Sequence, residues 1–447
     1  MSDLLSIGAS GVRAYQTALA TVGENIANVG STGYTRRSVN LAEAVGGSGS
    51  VNQYGAGNGV VMTGITRSSD VYSSVALRSA TSDLSRTTKG ADWLDRIQGA
   101  LTGNALTTRV TSFFASAQSL AAEPNSTALR GGMLSAAASA GIAFTATGKA
   151  FDQVDADIDT AGNQAAQTLT SIGESMTRIN DGISRALPGS TAAVQLMDQR
   201  DNILSQMSEL ADVSTKMDAL GRATVSLAGS SGPPFVQGIN SGMVSYNRDT
   251  NGKISFSVTV GAVVNRIDAN GGALAGISDG AERVAAVRQE LDAVASGFVK
   301  AVNDNQLAGK DQSGATGIAM LTTGTNPTDI SVSTQFTSGS QIATGKGGGV
   351  RDASNLADLE ATRVSKGYEA SLTTLVTGNA TAYKQKNTIA DAQSAIRDGA
   401  ATALSTATGV NLDSEAVDLM RFQQAYAASG RVIQIARETM QTILDIR

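Results

Sequence analysis

Closely spaced acidic residues are the first side chains in this sequence that could do chemistry. Asp155, Asp157 and Asp159 have the alternating spacing that opens an EF-hand calcium loop. That loop needs Gly at its sixth position and Glu at its twelfth, but this chain has Thr160 and Ala166 there. We therefore interpret the three aspartates as a solvated helix face and expect no metal site.

A second acidic pair, Asp198 and Asp201, flanks Arg200. The spacing of three residues places both carboxylates on one side of a helix, an arrangement that acid–base catalysis can use. No nucleophile or cleft motif accompanies the pair. We interpret it as an ion pair that is either exposed or formed between helices.

The composition removes most catalytic chemistry. The 447 residues include no His and no Cys, so the commonest general base, the commonest transition-metal ligand and thiolate chemistry are all absent. The glycine-rich runs at residues 46–49 and 345–349 lack the Lys-Ser/Thr ending of a phosphate-binding loop. We expect no cofactor and no enzyme. Among enzymes, only a hydrolase that uses Asp and Glu stays open.

The charge pattern also limits the partners. The net charge of −5 argues against nucleic-acid binding, which favours a basic face. No run of eighteen apolar residues and no basic-then-apolar leader is visible, so we expect neither a membrane span nor a cleaved signal peptide. The terminal helices lack a Lys/Arg-rich polar face, which argues against membrane insertion.

The elements that must position these residues begin with two helices at the chain ends. Both carry apolar residues at heptad spacing, which predicts helix-on-helix packing. The N-terminal rows are Leu5, Val12, Leu19 and Ile26 and, beside them, Gly8, Tyr15, Val22 and Val29. The C-terminal rows are Leu412, Leu419, Tyr426, Ile433 and Met440 and, beside them, Phe422, Ser429, Ala436 and Ile443, so the seam contains small as well as large residues. The two helices could form an ordinary coiled-coil stalk, or they could pair and also contact neighbouring molecules.

Between the ends, the sequence predicts a mainly α protein with a β insertion. Two helices are expected between residues 68 and 122, and a third begins near Ser126. The spacing from Ala165 predicts a long amphipathic helix that ends before Leu187, and the next helix carries Leu196 to Leu210. Further helices are expected from Asp279, over 353–376 and over 379–404. Residues 40–66 read as a glycine-rich loop with a short strand near residues 60–65. Alternation over residues 253–260 is typical of a half-buried strand.

This order predicts nested domains, because the termini can pair only if helices before the insertion pack on helices after it. We expect a terminal helical domain of residues 1–35 and 411–447, paired like a coiled coil. A helical bundle of residues 36–212 and 279–410 follows. Residues 213–278 would form a small inserted antiparallel β domain.

The end of the first helix and the beginning of the last resemble the flagellar axial proteins. The similar residues are Asn25-Ile26-Ala27-Asn28 and the turn Gly33-Tyr34-Thr35-Arg36-Arg37, together with residues 409–415 and 419–426. The turn is most similar to that of the hook-associated protein 1 family, which forms the hook–filament junction. Asn25, Ile26, Asn28, Gly33, Tyr34 and Arg36 are the motif residues that carry the resemblance.

The resemblance implies a structural subunit that is exported through the flagellar type III system without signal cleavage. Such a subunit would form an extracellular ring between hook and filament, through its terminal helices. The implied partners are further copies of the chain, the hook protein, a second junction protein and an export chaperone on the C-terminal helix. A hook, rod or filament subunit is the alternative. Candidate contacts between subunits are Arg13, Arg36, Arg37, Arg421 and Arg431.

Overall fold

The computed structural model describes residues 2–31, 33–44, 59–249, 252–347 and 349–445. Part of the predicted glycine-rich loop and the last two residues of the predicted terminal domain lie outside this range. The helices in the described part are α1 Ser2–Ala27, α2 Val71–Thr102, α3 Leu106–Ala122, α4 Thr127–Arg185, α5 Thr191–Leu210, α6 Gly272–Ala308, α7 Ser354–Lys366, α8 Tyr368–Thr408 and α9 Leu412–Asp445.

All the strand pairs described are antiparallel and lie in four small sheets. The strands are β1 Arg37–Glu43 and β2 Val60–Arg67; β3 Val213–Met217, β4 Ala223–Leu227, β5 Pro234–Gln237 and β6 Asn240–Ser241; β7 Met243–Arg248, β8 Ile254–Val260 and β9 Val263–Ile267; and β10 Leu321–Thr323 and β11 Ile330–Val332. The predicted class, mainly α with a mid-chain β insertion, is confirmed.

An aromatic cluster joins the helices before the β insertion to those after it. The ring of Phe113 lies 5.1 Å from Phe114 and 5.3 Å from Phe298, and Phe298 lies 5.6 Å from Phe144. Tyr368, at the start of α8, stacks on Phe114 at 6.2 Å. Burial of these rings ties α3, α4, α6 and α8 into one core.

Three predicted boundaries were wrong. Helix α6 begins at Gly272, seven residues before the predicted Asp279, because residues 272–277 are buried and extend its apolar face. The break before α8 lies at Gly367, whose φ of +60° ends α7, and not near residues 376–379. The predicted loop over residues 40–66 underestimates the β structure, since all of β1 pairs with β2 and Ile65 is buried.

The terminal helices lie antiparallel along each other. Gly8 of α1 contacts the segment of α9 around Ile433, and the ring of Tyr15 lies 6.3 Å from that of Phe422. At the opposite end of the pair, Asn25 contacts Glu415. The two terminal helices, for which the heptad spacing predicted packing on another helix, therefore pack on each other.

Candidate functional site

Small residues make the closest contact between α1 and α9. A Cβ added to Gly8 would lie 2.6 Å from Cγ1 of Ile433, and one added to Gly11 would lie 2.5 Å from Oγ of Ser429. Ala14 and Ala18 continue this buried face. Because larger side chains would collide, the glycines set how closely the two backbones approach.

Of the predicted heptad residues, Gly8, Ser429 and Ile433 form this contact, and the other large side chains lie beside it. Half-buried positions are Leu5, Val12, Leu19, Ile26, Leu419, Phe422 and Ile433, and exposed ones are Leu412, Tyr426 and Met440. The reason is that α1 turns its glycine and alanine face toward α9. The role of these large side chains in an assembly seam stays a prediction.

Helix α9 leaves a large apolar surface uncovered in the single chain. Among its described side chains, only Glu415 and Ala436 are buried. On the side away from α1, Val417, Met420 and Ile435 are 60%, 56% and 59% exposed. An apolar stripe of this kind on a helix calls for a further partner.

A polar network, which we call the motif hub, fixes the other end of the pair. It consists of Glu24, Asn25, Tyr34, Thr35, Arg36, Arg37, Arg67, Asp198, Asp201, Glu415 and Asp418. These residues come from α1, the turn after it, the β1–β2 hairpin, α5 and α9. The hub therefore connects the terminal pair to the helical bundle.

Asn25 lies at the centre of the motif hub, fully buried. Its amide nitrogen donates to the backbone carbonyl of Arg37 at 2.8 Å and to Oε2 of Glu415 at 3.0 Å. Its amide oxygen accepts from the hydroxyl of Tyr34 at 2.9 Å and from the backbone N–H of Arg37 at 3.0 Å. The side-chain amide of Asn25 therefore donates two hydrogen bonds and accepts two, which satisfies all its polar groups in the buried site.

Arg36 binds the beginning of α9. Its Nε donates to Oε1 of Glu415 at 2.6 Å, and its guanidinium also reaches Oδ2 of Asp418 at 3.0 Å. Glu415 is fully buried, so both its oxygens depend on Asn25 and Arg36. Acidic residues in the first turns of a helix also suit its positive end.

Arg37 points the other way, into the bundle. Its guanidinium contacts Oδ2 of Asp198 and Oε2 of Glu24, each at 3.2 Å, and lies 4.7 Å from the centre of the Tyr34 ring. Burial raises the pKa of the Tyr34 hydroxyl, and the charge of Arg37 offsets part of that rise. The hydroxyl therefore stays protonated as the donor to Asn25.

The acidic pair found in the sequence is part of the motif hub. Asp198 accepts from the hydroxyl of Thr35 at 2.7 Å and from Arg67 at 3.2 Å, while Arg67 also binds Asp201 at 2.6 Å. Arg200 binds Asp201 as well. The two carboxylates do form ion pairs, but the expected setting, exposed or between helices, was wrong. Their partners are arginines of the β1–β2 hairpin, so they hold α5 against that hairpin.

The remaining motif residues shape the turn. Gly33 has φ +77°, and an added Cβ would lie 2.7 Å from the side-chain nitrogen of Asn202. The side chain of Asn28 donates to the carbonyl of Glu24 at 2.8 Å and helps to end α1. Ile26 is half-buried beside them.

Two of the five predicted contacts between subunits lie inside the chain. Arg36 and Arg37 are committed to the motif hub, and Arg37 is only 6% exposed. Arg13 and Arg431 are exposed, and Arg421 is exposed beside Asp418 at 3.1 Å. The sequence analysis did not identify Glu415 as a site residue, although it lies in the similar run of residues 409–415. The two adjacent arginines of the turn and the acidic residues at the start of α9 have opposite charges, and this is the sequence feature that could have predicted their contact.

The other acidic cluster, Asp155, Asp157 and Asp159, is not the solvated helix face that the sequence predicted, because all three side chains are partly buried and pair with arginines of α2 and β7. Burial raises the pKa of the Asp155 carboxyl, and the positive charge of Arg248 offsets part of that rise. Arg248 also binds Asp159 at 2.7 Å. Within the described residues, no group of three metal-ligating side chains occurs. Across the same ranges, no helix has the length and apolar character needed to cross a bilayer.

Comparison with known proteins gives two family matches. Residues 92–321 match the family described as the helical domain of flagellar hook-associated protein FlgK. Residues 404–446 match the C-terminal region of the flagellar basal body rod proteins FlgEFG. The second match contains the whole of α9.

Similar curated proteins carry the name flagellar hook-associated protein 1. The relative from Salmonella typhimurium is 28% identical over 53% of this chain and 43% of its own length. The one from Escherichia coli K12 is 26% identical over 71% and 59%, and the one from Bacillus subtilis is 21% identical over 97% and 96%. The chain thus spans about half the length of the first two.

A solved structure shares the fold. The flagellar hook junction protein FlgK from Burkholderia pseudomallei superposes with a TM-score of 0.51 at 21% sequence identity. The superposition covers 56% of this chain and 47% of that one.

Proposed function

Because this chain belongs to the family of the flagellar hook-associated protein FlgK, we propose that it is a structural subunit at the junction between hook and filament. Members of this family are flagellar structural proteins that assemble with other flagellar components. The observation that carries the proposal is the terminal pair, in which α9 exposes apolar side chains along the face turned away from α1.

The proposed mechanism is side-by-side packing of terminal pairs from identical subunits. Val417 and Met420 are three residues apart and Ile435 comes fifteen residues later, and at 3.6 residues per turn these spacings keep all three on one side of α9. A neighbouring copy would bury this stripe, and repetition of one such contact closes into a ring when the rotation between copies permits it. Arg13 and Arg431, both exposed, remain candidates for polar contacts across that interface.

The proposed domain division follows from the same mechanism. Residues 1–35 and 411–447 would be innermost, and residues 36–212 and 272–410 would surround them, since α6 begins at Gly272. Residues 213–271 would be outermost. The motif hub supports this order, because it lies where the terminal pair meets the bundle. No enzymatic activity is part of the proposal.

Export and partners complete the proposal. We infer delivery through the flagellar type III system, with an export chaperone masking α9, and a final position outside the cell. The hook protein on one side and a second junction protein on the other would be the neighbours. The exposed stripe of α9 supports the chaperone, because uncovered apolar surface invites association before assembly.

A different axial subunit, from rod, hook or filament, is the second candidate. It is favoured by one specific observation, the match of residues 404–446 to the C-terminal region of rod proteins. Such a subunit would use the same terminal pair but would occupy another position along the axis.

Electron microscopy of a strain that lacks the gene separates the two candidates, with the culture medium assayed for free filament protein. We expect complete hooks without filaments and filament protein lost to the medium. Missing or malformed hooks would contradict the junction and favour a rod or hook subunit. Restoration by the wild-type gene is the control.

A further inference from the structure

We propose that the motif hub couples two events in one chain, so that α9 docks on α1 only together with closure of the turn at residues 33–37. The pair that transmits this coupling is Asn25 and Glu415. The inference concerns the isolated chain, and it holds or fails independently of the function proposed above.

The first step is that neither partner can be buried alone. Glu415 and Asn25 are both fully buried, and the contact of 3.0 Å joins residues 390 positions apart. If α9 lifts away, the side-chain nitrogen of Asn25 and the Nε of Arg36 lose Glu415. Leaving a buried donor unpaired is costly, so the turn opens to hydrate these groups.

The second step is that Asn25 also organises the turn itself. The same amide donates to the backbone carbonyl of Arg37, and it accepts from the backbone N–H of Arg37 and from the hydroxyl of Tyr34. The backbone N–H of Arg36 donates to the carbonyl of Thr408, the last residue of α8, at 2.9 Å. The turn loses the bonds to Tyr34 and Arg37 if the side chain of Asn25 moves, so its closed conformation depends on the position of Asn25.

The third step is that opening of the turn affects the β1–β2 hairpin directly and does not require a change in the core of the helical bundle. Arg37 and Arg67 share Asp198, so the opened turn is expected to loosen the β1–β2 hairpin as well. By contrast, α4 contributes no residue to the motif hub. The terminal pair, the turn and the hairpin should therefore open as one cooperative unit, separate from α4.

The test uses backbone amide exchange, followed by mass spectrometry, on the full chain. The natural sequence has no cysteine, so Gly11→Cys with Ser429→Cys creates a single possible disulfide. A Cβ at residue 11 would lie 3.1 Å from the Cβ of Ser429, several tenths of an ångström below the roughly 3.5–4.5 Å found in disulfides. Oxidation then fixes α9 on α1, far from the motif hub, and reduction releases it.

With Glu415 present, we expect exchange in residues 33–44 and in α9 to respond together to oxidation and reduction. In the reduced protein, Glu415→Gln should speed exchange in both segments at least about tenfold. Oxidation of that variant should restore protection in α9 but not in the turn, because the coupling group is gone. Exchange in α4 should stay unchanged throughout.

Glu438→Gln is the matched control, since it removes the same charge from an exposed position on the same helix. It should leave both segments at the wild-type rates. Two results would overturn the proposal. One is that α9 changes its protection while residues 33–44 keep theirs, and the other is that Glu415→Gln leaves both segments unchanged.

Discussion

The side-chain nitrogen of Asn25 donates to a carboxylate oxygen of Glu415 at 3.0 Å, across 390 residues of sequence. This contact joins the end of the first helix to the beginning of the last. It makes the ends of the chain one structural unit, and several measurements can examine its energetic weight.

Asn25→Ala should destabilise the protein by about 3 kcal/mol, because it removes one of the two partners of the buried Glu415 and leaves the hydroxyl of Tyr34 and the backbone of Arg37 without their bonds to Asn25. Asn28→Ala, three residues later at a less buried position, should cost well under half as much. Thermal unfolding followed by circular dichroism compares the two. Equal losses would mean that the four hydrogen bonds of Asn25 contribute little.

Gly33→Ala should cost more than Gly30→Ala, although both residues have positive φ values of +77° and +76°. An alanine at residue 30 meets no neighbour, so it carries only the roughly 1–2 kcal/mol of left-handed backbone strain. An alanine at residue 33 would also displace Asn202. Adding Asn202→Ala to Gly33→Ala should remove the difference in chemical unfolding; if the excess persists, the collision is not its cause.

Arg130 stabilises the loop around the short 3-10 helix Gly339–Gln341. Its buried guanidinium donates to the carbonyls of Pro124 and Ile342, at 2.7 and 2.8 Å, and to the hydroxyl of Thr344. Arg130→Met should therefore cost about 3 kcal/mol and expose this loop to protease.

The control for that loop is Arg109→Met, which removes an arginine from an exposed position on α3. It should change neither stability nor the pattern of limited proteolysis. If both variants are cleaved at the same rate within residues 335–345, Arg130 does not hold the loop.

Asp212 gives a prediction about pH. Its burial, and secondarily the negative charge of Asp83, raise the pKa of its carboxyl above the usual value in the folded protein. An acid with a raised folded pKa favours folding while protonated, and that contribution is lost as pH rises through the unfolded and then the folded pKa. Asp212→Asn should therefore raise stability at pH 7 and lose that advantage below about pH 4.

Asp218→Asn should behave in the opposite way. Burial opposes its ionisation, but hydrogen bonds from Arg222 and Leu220 lower the pKa of its carboxyl overall. The ionised form thus favours folding, so the substitution should weaken the protein at pH 7 and have little effect once the acid is protonated. Unfolding curves across pH 3–7 check both variants, and a common sign for the two would contradict this account.

The exposed face of α9 should contribute to assembly, whereas the face docked on α1 should contribute to the stability of the single chain. Ile435 is 59% exposed, so Ile435→Asp should leave the unfolding of the isolated chain unchanged but prevent its incorporation into flagella. Gln167→Asp, at an exposed position on α4, should be incorporated normally. Immunogold labelling of complemented cells measures this, and normal labelling with Ile435→Asp would show that the stripe is not an interface.

The sequence by itself determined the helical termini, several element boundaries and the family. Ser126 accepts from the N–H of Leu129 and begins α4, as the turn at Pro124 predicted. The strand predicted at residues 253–260 is observed as β8. These features are local, because capping, proline and alternation act within a few residues and need no knowledge of the rest of the fold.

Only the tertiary structure decided which residues meet. The heptad rows contained Gly8 and Ser429 and so predicted a seam with small residues, but periodicity reports a buried face and not the distance of its partner. The close approach of the two backbones at Gly8 and Gly11 is visible only in the structure. Arg36, expected at a boundary between subunits, binds Glu415 within the chain. The register of α1 against α9 sets both outcomes, and that register depends on every element folded between the two ends.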